Sequence, residues 1–392
     1  MAVKAVHVSD VPHPNLDHQQ QQLALSSPRG FANTVDNRKE GGEREGEETI
    51  GSITKFVVMG HRGSGMNMLQ SPDPRMKSLK ENSLLSFNAA AKLPLDFIEF
   101  DVQVTKDDCP VIFHDNFIFT QQQGVLVEKR VTDLTLQELL SYGPQKDESN
   151  LGQGVGKPLF RKTKDGRVFE WKVEQDDCFC TLEEAFNKVE SPVGFNIELK
   201  FDDQLVYTKQ QLTHSLDVIL KVVHEHAGDR RIMFSSFQPD AAQLMRKLQQ
   251  KYHVFFLTNG GSEIYTDTRR NSLEEAIHVC LEGGLQGIVS EVKAIFRNPG
   301  AIARIKEAKL SLFTYGQLNN VGEVVYMQHL MGVEGVIVDL VDEITRAISD
   351  NDSDKKVDQL RKFQRNTTLP PQFSKEELSF LLNLMPQLMV NH

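Results

Sequence analysis

Two carboxylates set two residues apart in an apolar stretch are the first feature of this chain that could do chemistry. Glu99 and Asp101 lie in the run Phe97–Val104, flanked by Ile98, Phe100 and Val102. In a strand, that spacing puts both acids on one face and the apolar residues on the other. Burying two acids costs several kcal/mol unless something positive meets them. A hard divalent cation with oxygen ligands would do so. The plainer alternative is a hairpin with two charges on a solvated face, because Thr105–Asp108 turns the chain and Pro110–Phe113 forms a second apolar run leading into His114 and Asp115. The same two-residue spacing recurs at Glu198 and Lys200, in the run Phe195–Lys200. His61 and Arg62 close a third short apolar run that begins near Lys55.

These residues need elements to position them. Eight short apolar runs are expected as strands: 56–60, 97–104, 193–199, 231–235, 254–257, 287–290, 310–314 and 335–338. Helical patterns lie between them, over 81–92, 181–189, 203–226, 239–250, 271–281, 298–308, 321–330 and 341–348. Thr181 followed by Glu184 is a capping-box start. Short strands alternating with helices call for parallel pairing, and eight such units close a (β/α)₈ barrel. An open doubly wound sheet is the alternative, but the segment 61–65 has too few glycines for a dinucleotide loop. A barrel demands that reactive residues sit at the carboxyl ends of several strands. His61 and Arg62, Glu99 and Asp101, Glu198 and Lys200, Ser235, Thr314 and Tyr315, and Asp339 all fall there.

At such a rim Glu99, Asp101 and Glu198 would converge into a site for one divalent cation. Mg²⁺ is favoured, with Ca²⁺ the alternative that an open carboxylate site also admits, and zinc is a poor fit. His61 and His114 can titrate near neutrality and supply one proton donor and one acceptor. Arg62 and Lys200 suit an anionic group, and arginine can hold phosphate in a bidentate fork. Together they describe acid–base displacement at phosphorus. Taken singly the residues are weaker evidence: Glu198 alone could simply pair with Lys200.

Composition bounds the rest. A formal charge of −10 argues against a nucleic-acid binder, and no run approaches eighteen uninterrupted apolar residues, so no transmembrane segment is expected. Four cysteines without zinc spacing read as reduced thiols. Residues 1–52 read as a disordered leader with an acidic, glycine-rich end. The barrel is expected over 53–348, with an insertion at 116–180 that holds the sole tryptophan, Trp171, and a short helical pattern at 135–142. A cap packed beside the barrel is the expected form of the insertion. Residues 349–392 read as a polar linker and an amphipathic helix at 374–389, interrupted by Pro386.

The ordered segments His61–Gly63, Glu81–Ser83, Glu99–Lys106, Val111–Asp115 and Asn196–Lys200, with 131–135 and 181–184 between them, resemble the glycerophosphodiester phosphodiesterase family from about Phe56 to Ile348. The leader and the long insertion look most similar to plant members. The resemblance implies a barrel of the phosphatidylinositol-phospholipase-C-like phosphodiesterase type, with an insertion after strand two. It implies hydrolysis of glycerophosphodiesters, such as glycerophosphocholine, to sn-glycerol 3-phosphate and an alcohol, with small molecules as the binding partners. By resemblance Glu99, Asp101 and Glu198 hold the metal, His61 and His114 form the acid–base pair, and Arg62 and Lys200 contact phosphate. Glu81 belongs to the substrate site, orienting neighbours or assisting at the metal. A plastid location is the expectation the resemblance adds to an otherwise cytoplasmic one. A phospholipase D-like hydrolase of lysophospholipids or sphingolipids is the competing reading. The chain departs from the family at Lys80, where relatives commonly carry Pro in Pro-Glu-Asn-Thr, at 314–319, and in the longer loop 64–80. These departures bear on head-group preference more than on the reaction.

Overall fold

A computed structural model describes residues 56–144, 157–163, 165–190 and 192–353. The expected leader over 1–52 lies outside them, as does nearly all of the expected linker and C-terminal helix over 349–392.

Eight parallel strands close on themselves. In chain order the strands are β1 (Val57–Gly60), β2 (Phe97–Val104), β3 (Pro110–Ile112), β4 (Phe117–Gln122), β5 (Val125–Arg130), β6 (Leu159–Lys162), β7 (Val168–Glu170), β8 (Gly194–Leu199), β9 (Ile232–Ser236), β10 (His253–Thr258), β11 (Gly287–Glu291), β12 (Ser311–Tyr315) and β13 (Gly335–Val338). The ring runs β1, β2, β8, β9, β10, β11, β12, β13 and back to β1, all in parallel. This is the (β/α)₈ barrel that the alternation of elements predicts.

Side-chain alternation explains what each strand face does. Val57 and Met59, Phe97, Met233, Phe255 and Leu257, Val289, Phe313 and Ile337 pack together inside the ring. Residues of opposite parity, such as Ile98, Phe100, Ile197, Phe234 and Leu312, join the helices outside. Two residues beyond the last lumenal position of each strand the series continues as His61, Glu99 then Asp101, Ser235, Asn259, Glu291, Tyr315 and Asp339. Glu198 faces the lumen by the same logic, since its neighbours Ile197 and Leu199 face out. The polar rim is therefore the lumenal face of the barrel carried one step past its apolar core.

The outer helices are α1 (Leu84–Ala91), α3 (Leu182–Lys188), α4 (Lys209–His226), α5 (Pro239–Leu248), α6 (Leu273–Gly283), α7 (Val292–Arg297), α8 (Ala301–Glu307), α9 (Gly322–Met331) and α10 (Val341–Ser353), with α2 (Leu136–Leu140) in the insertion. Thr181 and Glu184 form the capping box expected of α3. Two differences from the sequence reading have local causes. α4 starts at Lys209 rather than 203, because Thr208 and Gln211 form a capping box there and release 203–207 to the rim. α7 is an added turn that Glu291 caps through Ala294 N–H.

β3 pairs antiparallel with β2, so the hairpin exists, but its two acids are buried rather than solvated. The insertion holds a four-stranded antiparallel sheet in the order β5-β4-β6-β7. The sequence pattern predicts no strand there. β5 and β7 are mostly exposed on both faces, so they lack the apolar alternation that announces a strand. The insertion has its own small core, in which Phe113, Ile118, Leu139, Leu159, Trp171 and Phe179 meet.

Candidate active site

Each rim residue is placed by an identifiable local device. His61 follows β1, its N–H bonded to the Val338 carbonyl of the neighbouring strand. The chain then turns sharply: Arg62 adopts φ +51° and Gly63 φ +94°. A side chain at Gly63 would run into Ser86 and Phe87, so only glycine fits. This turn aims the Arg62 N–H at Glu99 Oε2, 3.0 Å away. His114 is set by the β2–β3 hairpin. Phe113 N–H donates to the Asp101 carbonyl at 3.0 Å, and the buried Gln103 amide donates to the carbonyls of Phe113 and Asp115 on either side of the histidine.

Glu99, Asp101 and Glu198 present oxygen atoms that lie within 4.8 Å of one another, and all three residues are buried. Registry achieves this, for Asp101 pairs with Glu198 across β2 and β8. Asp101 Oδ2 accepts from Asn82 Nδ2 at 2.8 Å, with Asn82 held at φ +53°. Lys200 Nζ sits 2.7 Å from Glu198 Oε1 and 3.7 Å from Asp101 Oδ1. Glu99 Oε1 is buried and has no hydrogen-bond partner. A bare carboxylate oxygen inside an all-oxygen donor set is what a hard divalent cation would complete, so the residues present fit such an ion.

The two histidines flank this cluster. His61 donates from Nδ1 to Asp339 Oδ1 at 2.7 Å, which leaves Nε2 3.9 Å from Glu99 Oε2. Asp339 is itself held by Met66 N–H at 3.0 Å and by Asn320 Nδ2 at 3.0 Å. His114 donates from Nδ1 to Asp115 Oδ1 at 2.7 Å. It lines a cavity of about 250 Å³ together with Glu198, Lys200, Phe237, Asn259 and Arg270. Arg62 extends NH1 to Glu81 Oε1 at 2.7 Å and brings Nε to 3.5 Å from Asp101 Oδ2. Glu81 is enclosed: its oxygens also accept from Arg161 and from the Asn67 N–H. It therefore meets Arg62 and Arg161 rather than the cavity.

The sequence profile of the Glycerophosphoryl diester phosphodiesterase family matches residues 61–343. The chain belongs to this family. A chloroplastic glycerophosphodiester phosphodiesterase of Arabidopsis thaliana, GDPD1, is 58% identical over 391 residues, covering 99% of each chain. A second from the same plant, GDPD3, is 67% identical over 295 residues, covering 75% of this chain and 78% of its own. Among solved structures, a glycerophosphodiester phosphodiesterase from Parabacteroides distasonis superposes with a TM-score of 0.52 at 20% identity, covering 76% of this chain and all of that one. The protein is thus an enzyme, a glycerophosphodiester phosphodiesterase acting on a small-molecule diester. Among the described residues, no helix is long and apolar enough to cross a membrane.

The electrostatics of this phosphodiesterase separate the two imidazoles. Burial works against a charge on His61, but Asp339 and Glu99 outweigh it and hold its pKa above the ordinary value. Burial lowers the pKa of His114, and the nearby Arg62 and Lys200 lower it further. Glu99 is pushed up by burial and then by Asp101 and Glu198. Asp101 stays below the usual range, because His114, Arg62 and Lys200 outweigh its burial.

Several members of the site escape the sequence reading. Asp339 is visible there as a strand-end acid but without a partner. Asn82 and Asp115 stand inside recognised motifs without a role. Gln103 likewise stands inside the motif Glu99–Lys106 without a role, and Asn67 and Asn320 carry no signal at all. Arg161 lies on β6 of the insertion, in a stretch that reads only as charge-rich. Lys80, one of the departures from the family pattern, lies 4.0 Å from the Trp171 ring centre and 3.5 Å from Asp176 Oδ1.

Proposed function

We propose that this phosphodiesterase hydrolyses glycerophosphodiesters such as glycerophosphocholine to sn-glycerol 3-phosphate and the free alcohol, in a metal-dependent reaction with His61 and His114 as the acid–base pair. The observation that carries this reading is the arrangement of two imidazoles, each with Nδ1 taken by a carboxylate, at the margin of a buried three-carboxylate cluster. A solved phosphodiesterase from Oleispira antarctica was captured with the product sn-glycerol-3-phosphate.

Glu99, Asp101 and Glu198 would hold one divalent ion, Mg²⁺ rather than Ca²⁺. When bound, such an ion neutralises charge developing on the phosphoryl oxygens. Arg62 and Lys200 bind the anionic diester, and Glu81 keeps the Arg62 guanidinium in place. His61, stabilised as imidazolium by Asp339 and Glu99, donates its proton to the departing alcohol oxygen. His114, kept neutral beside two cations, takes the proton of the attacking hydroxyl. That hydroxyl is the glycerol 2-OH: it attacks phosphorus as the alcohol leaves, and water then opens the cyclic phosphate. Intramolecular attack carries an effective-molarity advantage. Rapid-quench experiments should trap the cyclic phosphate; its absence would replace the 2-OH by water as the nucleophile.

One observation favours a second reading, hydrolysis of lysophospholipids or sphingolipids. Val206 and Ile264, on the loops after β8 and β10, are 99% and 79% exposed, as an enzyme working at a lipid surface would require. Assaying glycerophosphocholine against lysophosphatidylcholine, with and without EDTA, decides between the two. Preference for the first substrate, lost with EDTA and restored by Mg²⁺, is the expected result.

The role that follows is breakdown of glycerophospholipid head groups and recovery of their phosphate. We place residues 1–52 as a targeting leader ahead of a barrel over 53–348, and a plastid as the destination, because the chloroplastic relative aligns over 99% of the chain. A reporter fused to residues 1–55 should enter plastids; a cytosolic signal would refute this address.

A further inference from the structure

Among the described residues of the insertion, Arg161 makes four side-chain hydrogen bonds that tie it to the barrel rim. Arg161, on β6, is mostly buried, with a side-chain exposure of 14%. Its Nε donates to Asp115 Oδ2 at 2.9 Å, and its NH2 donates to Glu81 Oε1 at 2.7 Å. NH1 donates to Glu81 Oε2 at 3.2 Å and to the Asn67 carbonyl at 3.1 Å. The guanidinium plane lies over Trp171, 3.7 Å from the ring centre, and Trp171 in turn donates its indole N–H to Asn67 Oδ1 at 3.0 Å.

Both carboxylates that Arg161 holds are divided between it and a residue of the rim. Asp115 gives Oδ1 to His114 and Oδ2 to Arg161. Glu81 gives Oε1 to both Arg62 and Arg161. We propose that Arg161 is a positioning residue: one planar cation from the insertion orients the His114 imidazole through Asp115 and the Arg62 guanidinium through Glu81. The insertion is then part of the reaction's machinery, not a cap beside it. This rests on the reading that His114 and Arg62 serve the reaction.

The chemistry requires arginine. Only a planar fork donates in several fixed directions at once while stacking on an indole; a lysine ammonium, a compact charge with three donors on a flexible stem, cannot reproduce that fixed bidentate and stacked geometry. Without the fork, Asp115 has nothing to fix its second oxygen, and the His114 ring loses its orientation. Loss of such an outer partner typically lowers activity ~10- to 100-fold.

The test uses the full chain and steady-state hydrolysis of glycerophosphocholine with Mg²⁺ present. Arg161→Gln should lower kcat by ~10- to 100-fold, with KM moving far less. Arg161→Lys should recover only part of that loss. Methylguanidinium added to Arg161→Ala should restore rate in a saturable way. Asp115→Asn should slow the enzyme similarly, and the double variant should be no slower than the slower single one, because both break the same chain of contacts. Should Arg161→Gln not fold, Asp115→Asn and the guanidinium rescue test the same link: a full-rate Asp115→Asn enzyme, or no rescue, would overturn it. Unchanged kcat in Arg161→Gln, or losses that multiply in the double variant, would overturn the proposal as well. A His114→Ala enzyme at full rate would instead remove the reading beneath it, and slow His114→Ala with full-rate Arg161→Gln would sink this inference alone.

Discussion

The two halves of the rim solve one problem in different ways. His61 is oriented by Asp339, and both residues step off adjacent, hydrogen-bonded strands of the barrel, β1 and β13. Closing the ring brings that pair together. His114 is oriented by its own neighbour in the chain, Asp115, and that acid is anchored from the insertion by Arg161. The charges differ as well. Against its burial, Asp339 and Glu99 raise the pKa of His61, whereas burial, Arg62 and Lys200 lower that of His114 in spite of Asp101 and Asp115. Two imidazoles in opposed fields are what an acid and a base at one centre require. The barrel thus orients His61 by itself, whereas the setting of His114 depends on a residue outside it.

The contrast can be broken at several strengths. The largest effect is expected from removing either ring: His61→Ala or His114→Ala should lower kcat by ~10²-fold or more, and near-full activity would strike that histidine from the mechanism. Next come the two orienting acids. The pH profile of kcat/KM should be a bell, falling on the acid side as His114 gains a proton and on the alkaline side as His61 loses one. Asp339→Asn takes away what raises His61, so the alkaline limb should move down and narrow the bell. Asp115→Asn takes away what partly offsets the lowering of His114, so the acid limb should move down and widen it. Each should also cost ~10- to 100-fold in rate, and matching shifts of one limb in both variants would erase the distinction drawn here.

A smaller effect belongs to Glu99, beside His61. Its carboxyl is pushed above the usual carboxylate range by burial and then by Asp101 and Glu198, so a cation binding there competes with a proton. Mg²⁺ affinity should rise with pH through neutrality, by at most ~10-fold per unit, and calorimetric heats should track buffer ionisation. Glu99→Gln should abolish that dependence. The smallest effect lies on the insertion side. Trp171→Phe keeps a ring under Arg161 but loses the bond to Asn67, which should cost about 1 kcal/mol, or ~2–4 °C in melting temperature, with little change in rate.

Lys80 shows how far local sequence reaches. Its place ahead of Glu81 stands out as a departure, yet its partner, Trp171, lies in a segment whose fold the sequence does not reveal. The outer strands of the insertion's sheet, β5 and β7, escape detection because a strand exposed on both faces carries no apolar alternation. Asn67, in a loop, and Asn320, at the end of a short 3₁₀ turn, are distinguished only by the atom they meet.

What the sequence determined by itself was the barrel and the identity of its rim. Strand alternation is a local property, so the step from Phe97 to Glu99 and Asp101, or from Met59 to His61, is written in spacing alone. Tertiary structure alone decided which groups hold which. The His61–Asp339 bond spans 278 positions and the Arg161–Asp115 bond spans 46. No periodicity records such contacts, because they arise only when the ring closes and the insertion folds against it.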